Sequence, residues 1–230
     1  MSKALVLFSG GLDSTTCLAM AVDLMGHENV VALSLSYGQK HDKEIQCAGE
    51  LAEFYKVEHL EYDVSKIFES SKCSLLRKND IAVPEGSYSE QLDGKEEPVS
   101  TYVPFRNGLF ISIAASIALS KGCDIIYYGA HKDDAAGSAY PDCSEAFNRF
   151  IGSAIHEGTG YKVCVFAPFI DKNKADIVAI GLKLGVPYEK TWSCYEGRDK
   201  PCGKCGTCID RIKAFKMNGV GDPIYDTIKE

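Results

Sequence analysis

The feature that most constrains this chain is a run of six strand-forming residues that ends directly on two glycines. Lys3 to Phe8 (KALVLF) reads as a buried strand, Ser9-Gly10-Gly11-Leu12-Asp13-Ser14 as a tight turn, and Thr15 to Met25 as a helix packed on a sheet. A strand that turns through glycine into a helix makes an anion site. The first amides of the helix have no internal acceptor, and the helix dipole adds partial positive charge there. Gly10 and Gly11 let the backbone turn sharply and approach a ligand. Ser9, Ser14 and Thr15 add hydroxyl donors, and Asp13 offers a carboxylate for a divalent metal beside phosphates. No lysine stands at the helix entrance, so this is not a Gly-x4-Gly-Lys-Ser/Thr loop, and the spacing is not Gly-x-Gly-x-x-Gly. The plainer alternative is an ordinary turn capped by serine and aspartate; its place behind a buried strand favours the nucleotide reading.

At 230 residues and 45% hydrophobic content the chain can bury a full core in one domain with a small appendage. Its formal net charge of -7 argues against a general nucleic-acid binder. Only five apolar residues follow Lys3 before the glycine turn, too few for a signal peptide, and no apolar run reaches membrane-spanning length. Ten cysteines without a signal peptide point to a cytosolic protein with reduced thiols.

Along the chain, strands are expected at Asn29–Ser36, Glu58–Asp63, Asp124–Gly129 and Lys162–Ala167. Helices are expected at Asp42–Tyr55, about Gly108–Lys121, up to about Glu157, and at Asp171–Leu184, where Asn173-x-x-Asp176 marks a start. A last helix stops near Asn218-Gly219. Alternating strands and helices predict an α/β fold whose parallel sheet carries helices on both faces. Residues 1–190 form that domain, and 191–230 a cysteine-rich extension packed on it. The stretch 64–100 breaks the rhythm, and Gly86 to Ser100 reads as a polar loop or flap, among the least ordered parts of the chain. In an open parallel sheet, ligands sit beyond the carboxyl ends of the strands. That rule gathers Ser9 to Ser14, Tyr37 with Gln39, Lys40 and His41, and His131 with Asp133 and Asp134 on one rim.

Near the end, Cys194-x7-Cys202-x2-Cys205-x2-Cys208 has the spacing of a metal knuckle. Four thiolates in a closed shell suit structural zinc, with Lys200, Lys204, Arg211 and the start of the final helix helping to keep them ionised. An iron–sulfur cluster is the rival, because Cys-x2-Cys-x2-Cys also opens ferredoxin-like runs; here no fourth cysteine followed by proline comes next. The other six, Cys17, Cys47, Cys73, Cys123, Cys143 and Cys164, read mostly as small core hydrophobes, with Cys143 set apart by its place beside Asp142.

The opening turn resembles the SGGxDS pyrophosphate loop of the N-type ATP pyrophosphatases, which split ATP between its α and β phosphates. Nearly the whole chain is similar to the 7-cyano-7-deazaguanine synthases: SGGLDS at 9–14, YGQKHxxE at 37–44, VPxRN at 103–107, GAHxxD at 129–134, YPDC at 140–143, and TWSCYxG…PCGKCGTC at 191–208. One departure is Phe105, where that family more often has glycine. The resemblance implies a five-stranded parallel sheet of the adenine-nucleotide hydrolase type (Rossmann-like), a homodimer and bound zinc. It also implies conversion of 7-carboxy-7-deazaguanine, ammonia and ATP to the nitrile, on the route to queuosine.

Carried over residue by residue, the resemblance assigns ATP to Phe8, Ser9, Gly10, Gly11, Leu12, Asp13, Ser14, Thr15, Thr16, Cys17 and Leu18, and zinc to Cys194, Cys202, Cys205 and Cys208. In that chemistry Ser9, Asp13 and Ser14, with Mg²⁺, stabilise departing pyrophosphate, and Arg106 and Lys174 offset negative charge. His131 is a candidate proton shuttle. Asp133, Asp134 or Asp142 would accept hydrogen bonds from the guanine-like edge, with Tyr37 or Tyr140 stacking on the ring. A tRNA sulfurtransferase or lysidine-type ligase uses the same loop but needs an RNA-binding surface, and a non-catalytic nucleotide sensor would bind ATP without releasing pyrophosphate. GMP and NAD synthetases carry a glutaminase portion that this chain lacks.

Overall fold

Consecutive apolar residues in a strand must be covered on both faces, and the first two strands impose that on the molecule: Ala4, Leu5, Val6 and Val30 to Leu33 are all essentially inaccessible. The computed structural model describes residues 2–40, 42–87, 90–91, 98–135, 139–197 and 199–226. Its strands are β1 (Ala4–Leu7), β2 (Val30–Ser36), β3 (Glu58–Asp63), β4 (Ile125–Tyr127) and β5 (Cys164–Phe166). They form one parallel sheet in the order β3-β2-β1-β4-β5. The helices are α1 (Leu12–Met25), α2 (Lys43–Tyr55), α3 (Arg106–Lys121), α4 (Lys132–Ala135), α5 (Glu145–Gly158), α6 (Lys174–Lys183), α7 (Gly206–Met217) and α8 (Pro223–Asp226).

Alternation along the strands sorts these helices into two layers. Ala4, Val6, Val30 and Ala32 face α1, α2, α6 and α7, while Leu5, Val31, Leu33 and Ile126 face α3 and the inner side of α5. Helix α6 begins where its sequence says it should. Asn173 Oδ1 accepts the Asp176 amide at 3.0 Å and Asp176 Oδ2 accepts the Asn173 amide at 3.0 Å, a reciprocal cap. Among the described residues no helix is long and apolar enough to cross a membrane.

The stretch after β3 carries no periodicity, yet it is built. Phe68, Cys73, Leu75, Leu76 and Val83 pack with Trp192 and the cysteine knuckle into a second core. Glu85 forms an antiparallel bridge to Cys205, and the Gly86 amide donates to Lys204 O at 3.1 Å. The expected flap continues through residues 88–89 and 92–97, which lie outside the described residues.

Phe105, the departure from the family pattern, precedes α3 with φ +53°, a left-handed conformation that glycine adopts without strain. Its ring lies over Gly108, where a Cβ would come within 2.4 Å of it, and meets Phe147 edge-on at 5.9 Å. Glycine at 108 therefore makes room for the ring that replaces glycine at 105.

The carboxy-terminal region is tied down by polar bonds as well as packing. Buried Arg211 donates to Asp222 through Nε (2.7 Å) and Nη2 (2.9 Å), to Thr191 Oγ1 (2.7 Å) and to Tyr188 O (2.9 Å). The Trp192 amide donates to Gly10 O at 3.0 Å, which joins this region to the glycine turn.

Candidate active site

The sheet grows outward from β1 in both directions, and a cavity of about 240 Å³ opens at the carboxyl ends of β1, β2 and β4. At its floor the Ser9 amide donates to Ser14 Oγ (3.2 Å) and the Gly11 amide to Ser9 Oγ (3.3 Å), so the two serines brace the turn. The first helical bond runs from the Thr15 amide to Gly11 O (3.0 Å), and the amides of Leu12, Asp13 and Ser14 have no acceptor among the described residues. These amides are donors of the kind an anion site at a helix start uses.

Phe8, Ser9, Gly11, Leu12, Asp13 and Ser14 line the cavity, whereas the rest of the expected nucleotide stretch faces elsewhere. Thr15 Oγ1 donates to Gly11 O (2.7 Å), Thr16 Oγ1 bonds the Tyr188 hydroxyl (2.8 Å), and Cys17 and Leu18 are core residues. Gly10 has the unusual backbone angle expected of it, φ +80°, and a second task besides: a Cβ there would stand 2.5 Å from Glu44 O and 2.6 Å from Ala48 N, so its missing side chain lets α2 pack close.

Beside the turn lies a charge cluster. Lys174 Nζ donates to Asp13 Oδ2 at 3.0 Å, and His131, 1% exposed, places Nε2 at 3.3 Å from Asp134 Oδ2 and 3.7 Å from Asp13 Oδ2. Burial alone would raise the Asp13 pKa, but Lys174 and then His131 outweigh it and hold the carboxyl below its ordinary value. Burial opposes charge on Lys174 too, and Asp13 and Asp134 overcome it, so the ammonium is secured. Asp133 is drawn away from the cavity: its Oδ2 accepts the Lys174 amide at 2.8 Å, at the start of α6.

The opposite wall carries Tyr37, Gln39, Glu44, Arg106 and Phe110. Arg106 donates to the Tyr37 hydroxyl at 3.2 Å with its guanidinium 5.1 Å from that ring, and no carboxylate pairs with it among the described residues. Burial raises the Tyr37 hydroxyl to about 12, with Arg106 acting against it. Gln39 Oε1 accepts the Tyr37 amide (2.9 Å) and shapes that turn. Lys40 donates instead to Ile81 O, and His41 lies outside the described residues.

Two expected substrate contacts are placed behind the cavity wall. Asp142, 3% exposed, accepts the Asn107 amide at 2.8 Å and so fixes the first turn of α3; the Tyr140 hydroxyl bonds Thr101 Oγ1 at 2.7 Å. Periodicity gives no warning of this, since both stand in an irregular loop beside the rim.

Glu44 was not singled out by sequence, although it closes the YGQKHxxE motif: a glutamate in the first turn of a helix reads as a dipole complement. Here its carboxyl faces the cavity, makes no hydrogen bond or ion pair among the described residues, and is pushed by burial up to about 7, with Arg106 opposing. Ser193, Tyr195 and Thr207, from the knuckle region, complete the wall.

The sulfurs of Cys194, Cys202, Cys205 and Cys208 lie within 4.8 Å of one another, close enough to share one metal ion. Amides rather than cationic side chains serve the sulfurs. Cys202 N and Glu196 N donate to Cys194 Sγ at 3.3 and 3.4 Å, and Cys205 N and Lys204 N to Cys202 Sγ at 3.3 and 3.4 Å. The expected help from Arg211 is absent because Asp222 holds it, and Lys204 turns out to exposed Glu85 (3.6 Å). Of the other cysteines, Cys17, Cys73, Cys123 and Cys143 are buried and Cys47 is half-buried. Cys164 departs from the expectation, being exposed at 3.6 Å from His156 Nδ1.

Comparison with known proteins bears on the whole arrangement. Among solved structures, a U34-tRNA thiolase, NcsA from Methanococcus maripaludis, described with its [4Fe-4S] cluster, matches 97% of this chain and 68% of its own at a TM-score of 0.50 and 17% identity, a likeness of fold alone. The protein named 7-cyano-7-deazaguanine synthase in Archaeoglobus fulgidus is 46% identical over 223 residues, covering 96% of this chain and 89% of its own length. Its namesake in Psychromonas ingrahamii is 41% identical over 224 residues, 96% of each. The family model described as queuosine biosynthesis protein QueC matches residues 3–219, from the first strand through the cysteine knuckle, and the chain belongs to that family.

Proposed function

We propose that this chain is the ligase that converts 7-carboxy-7-deazaguanine and ammonia to 7-cyano-7-deazaguanine at the expense of ATP, as the names of its relatives suggest. The observation that carries the reading is the pairing of two anion-binding groups in one cavity. The helix amides of Leu12 to Ser14, without an acceptor among the described residues, are fit for a phosphate chain. Arg106, which bonds the Tyr37 hydroxyl but no carboxylate among those residues, stands across from them, fit for a carboxylate.

A carboxylate is a poor electrophile, because resonance and charge both discourage attack. Its oxygen attacks the α phosphorus of ATP, the bond to pyrophosphate breaks, and the leaving anion is received by the turn amides. Ammonia then adds to the acyl carbon and AMP departs with one carboxylate oxygen, leaving the amide. The amide oxygen attacks a second ATP, and loss of AMP with the remaining oxygen gives the nitrile. One cradle serves both activations, because each is an oxygen attacking an α phosphorus. Ser9 and Ser14 brace the cradle, Lys174 and His131 keep Asp13 ionised for the Mg²⁺ that accompanies ATP, and Arg106 orients the substrate acid.

Zinc in the four-cysteine site suits the donor set, a closed sulfur shell with amide bonds to the sulfurs. Bound there, it would supply structural cross-linking, holding Ser193, Tyr195 and Thr207 in the cavity wall. The reading includes a homodimer working in the cytoplasm. Its test is incubation with 7-carboxy-7-deazaguanine, ammonium and Mg-ATP, followed by mass spectrometry. The nitrile with AMP and pyrophosphate is expected; ADP with orthophosphate, or a thiolated tRNA under the corresponding conditions, would overturn it.

A further inference from the structure

The charged side chains lining the cavity fall into two sets. Asp13, Lys174 and Asp134 are already grouped: the Lys174 ammonium is bonded to Asp13 and attracts Asp134 as well, and His131 Nε2 lies 3.3 Å from Asp134 Oδ2. Only Glu44 and Arg106 have no partner of opposite charge within ion-pair distance among the described residues. The reaction, for its part, joins one anion and one cation, because the nitrogen donor exists at neutral pH almost wholly as ammonium. One cation and one anion with no ion pair among the described residues match the two charged species that the reaction joins.

We propose that Glu44 binds the nitrogen donor as ammonium and accepts its proton, releasing ammonia beside the acyl carbon of the substrate that Arg106 holds. The inference rests on the ligase reading above. Glu44 shares its wall with Arg106 and reaches the glycine turn: a Cβ built on Gly11 would lie 3.9 Å from Glu44 Oε1, so the carboxylate lies between the group proposed to hold the acid and the turn proposed to receive pyrophosphate. Its half-buried setting strengthens attraction to a small cation and disfavours an anion left uncompensated. A carboxyl pushed up by burial is also a better proton acceptor than one in water.

The step balances. Ammonium gives one proton to the Glu44 carboxylate and becomes ammonia. The ammonia lone pair forms the C–N bond, the bond from the acyl carbon to the AMP oxygen breaks with its electron pair on AMP, and the nitrogen loses its second proton to water. The later conversion of amide to nitrile takes no ammonia, so Glu44 has no part in it.

The test compares wild type with Glu44→Gln, which keeps the side-chain shape, in four assays. These are the acid with ammonium, the acid with hydroxylamine (largely unprotonated at neutral pH, giving a hydroxamate), the primary amide with ATP, and exchange of labelled pyrophosphate into ATP with the acid alone. Loss of about 100-fold in kcat/KM for ammonium, with the other three within about threefold of wild type, is the expected result. Partial recovery of ammonium turnover in Glu44→Asp is expected as well. Equal loss with hydroxylamine, loss of amide turnover, a weakened pyrophosphate exchange or a raised KM for the acid would each overturn the proposal, pointing to divalent-metal binding, recognition of the deazapurine edge or a purely structural role. Unchanged ammonium turnover would overturn it too. A wild-type protein that yields no AMP from either acid or amide would refute the ligase reading itself.

Discussion

Asp13 and Glu44 are carboxylates on facing walls of one cavity, and their neighbours drive them in opposite directions. Asp13 is held ionised by Lys174 and His131, while Glu44, with only Arg106 to oppose burial, is raised to about 7. The second shift has a thermodynamic consequence. Between the ordinary value of 4.5 and about 7 the folded protein binds the Glu44 proton and the unfolded chain does not, so stability falls as pH rises through that window. Glu44→Gln should therefore match wild type below pH 4.5 and be the more stable protein at pH 8, by on the order of 2 kcal/mol or about 5 °C in Tm. Thermal melts across pH check this; a constant offset at all pH values would contradict it. Residue-scale chemistry was also where sequence served least. Ser9, Asp13 and Ser14 were legible because one contiguous motif implies one turn. Asp142 and Tyr140 sit near the rim in sequence but turn inward, and Glu44 faces the cavity because of how α2 packs over Gly10. Side-chain direction in a loop depends on partners far along the chain, and no local pattern encodes it.

At the scale of elements, the strands and most helices were legible because each carries its own signal. β1 is an uninterrupted apolar run, β2 opens on four apolar residues, and α6 starts at an Asn-x-x-Asp cap. The second core, where Phe68, Leu75, Leu76 and Val83 meet Trp192, was not legible, since an irregular segment has no period to read. The Arg211–Asp222 pair has no local signature either. In sequence Arg211 reads as a counter-ion for thiolates; in the structure it is the tie between α7 and the residue just ahead of α8. Both partners are buried, so removing one strands a charge. Asp222→Ala is expected to cost about 3–5 kcal/mol, and the double variant Arg211→Met with Asp222→Leu distinctly less. Urea unfolding of the three proteins measures this, and a double variant at least as unstable as Asp222→Ala would contradict it.

In the whole molecule the cysteine knuckle and the cavity are one construction. The knuckle lies at the far end of the chain, yet Ser193, Tyr195 and Thr207 wall the cavity, and the Trp192 amide bonds Gly10 O in the turn itself. Withdrawing zinc should therefore weaken nucleotide binding as well as lower Tm. Purified protein is expected to hold one zinc per chain, and chelation to raise the Kd for a non-hydrolysable ATP analogue at a temperature where the apo protein remains folded. Unaltered affinity after complete metal removal would mean that the knuckle is a separate appendage. The central claim, however, is that both oxygens of one carboxylate leave on AMP. With the substrate acid labelled by ¹⁸O at both carboxylate oxygens, the account predicts two AMP per nitrile, each carrying one ¹⁸O on its phosphate. Label found in orthophosphate or in water, with unlabelled AMP, would contradict it.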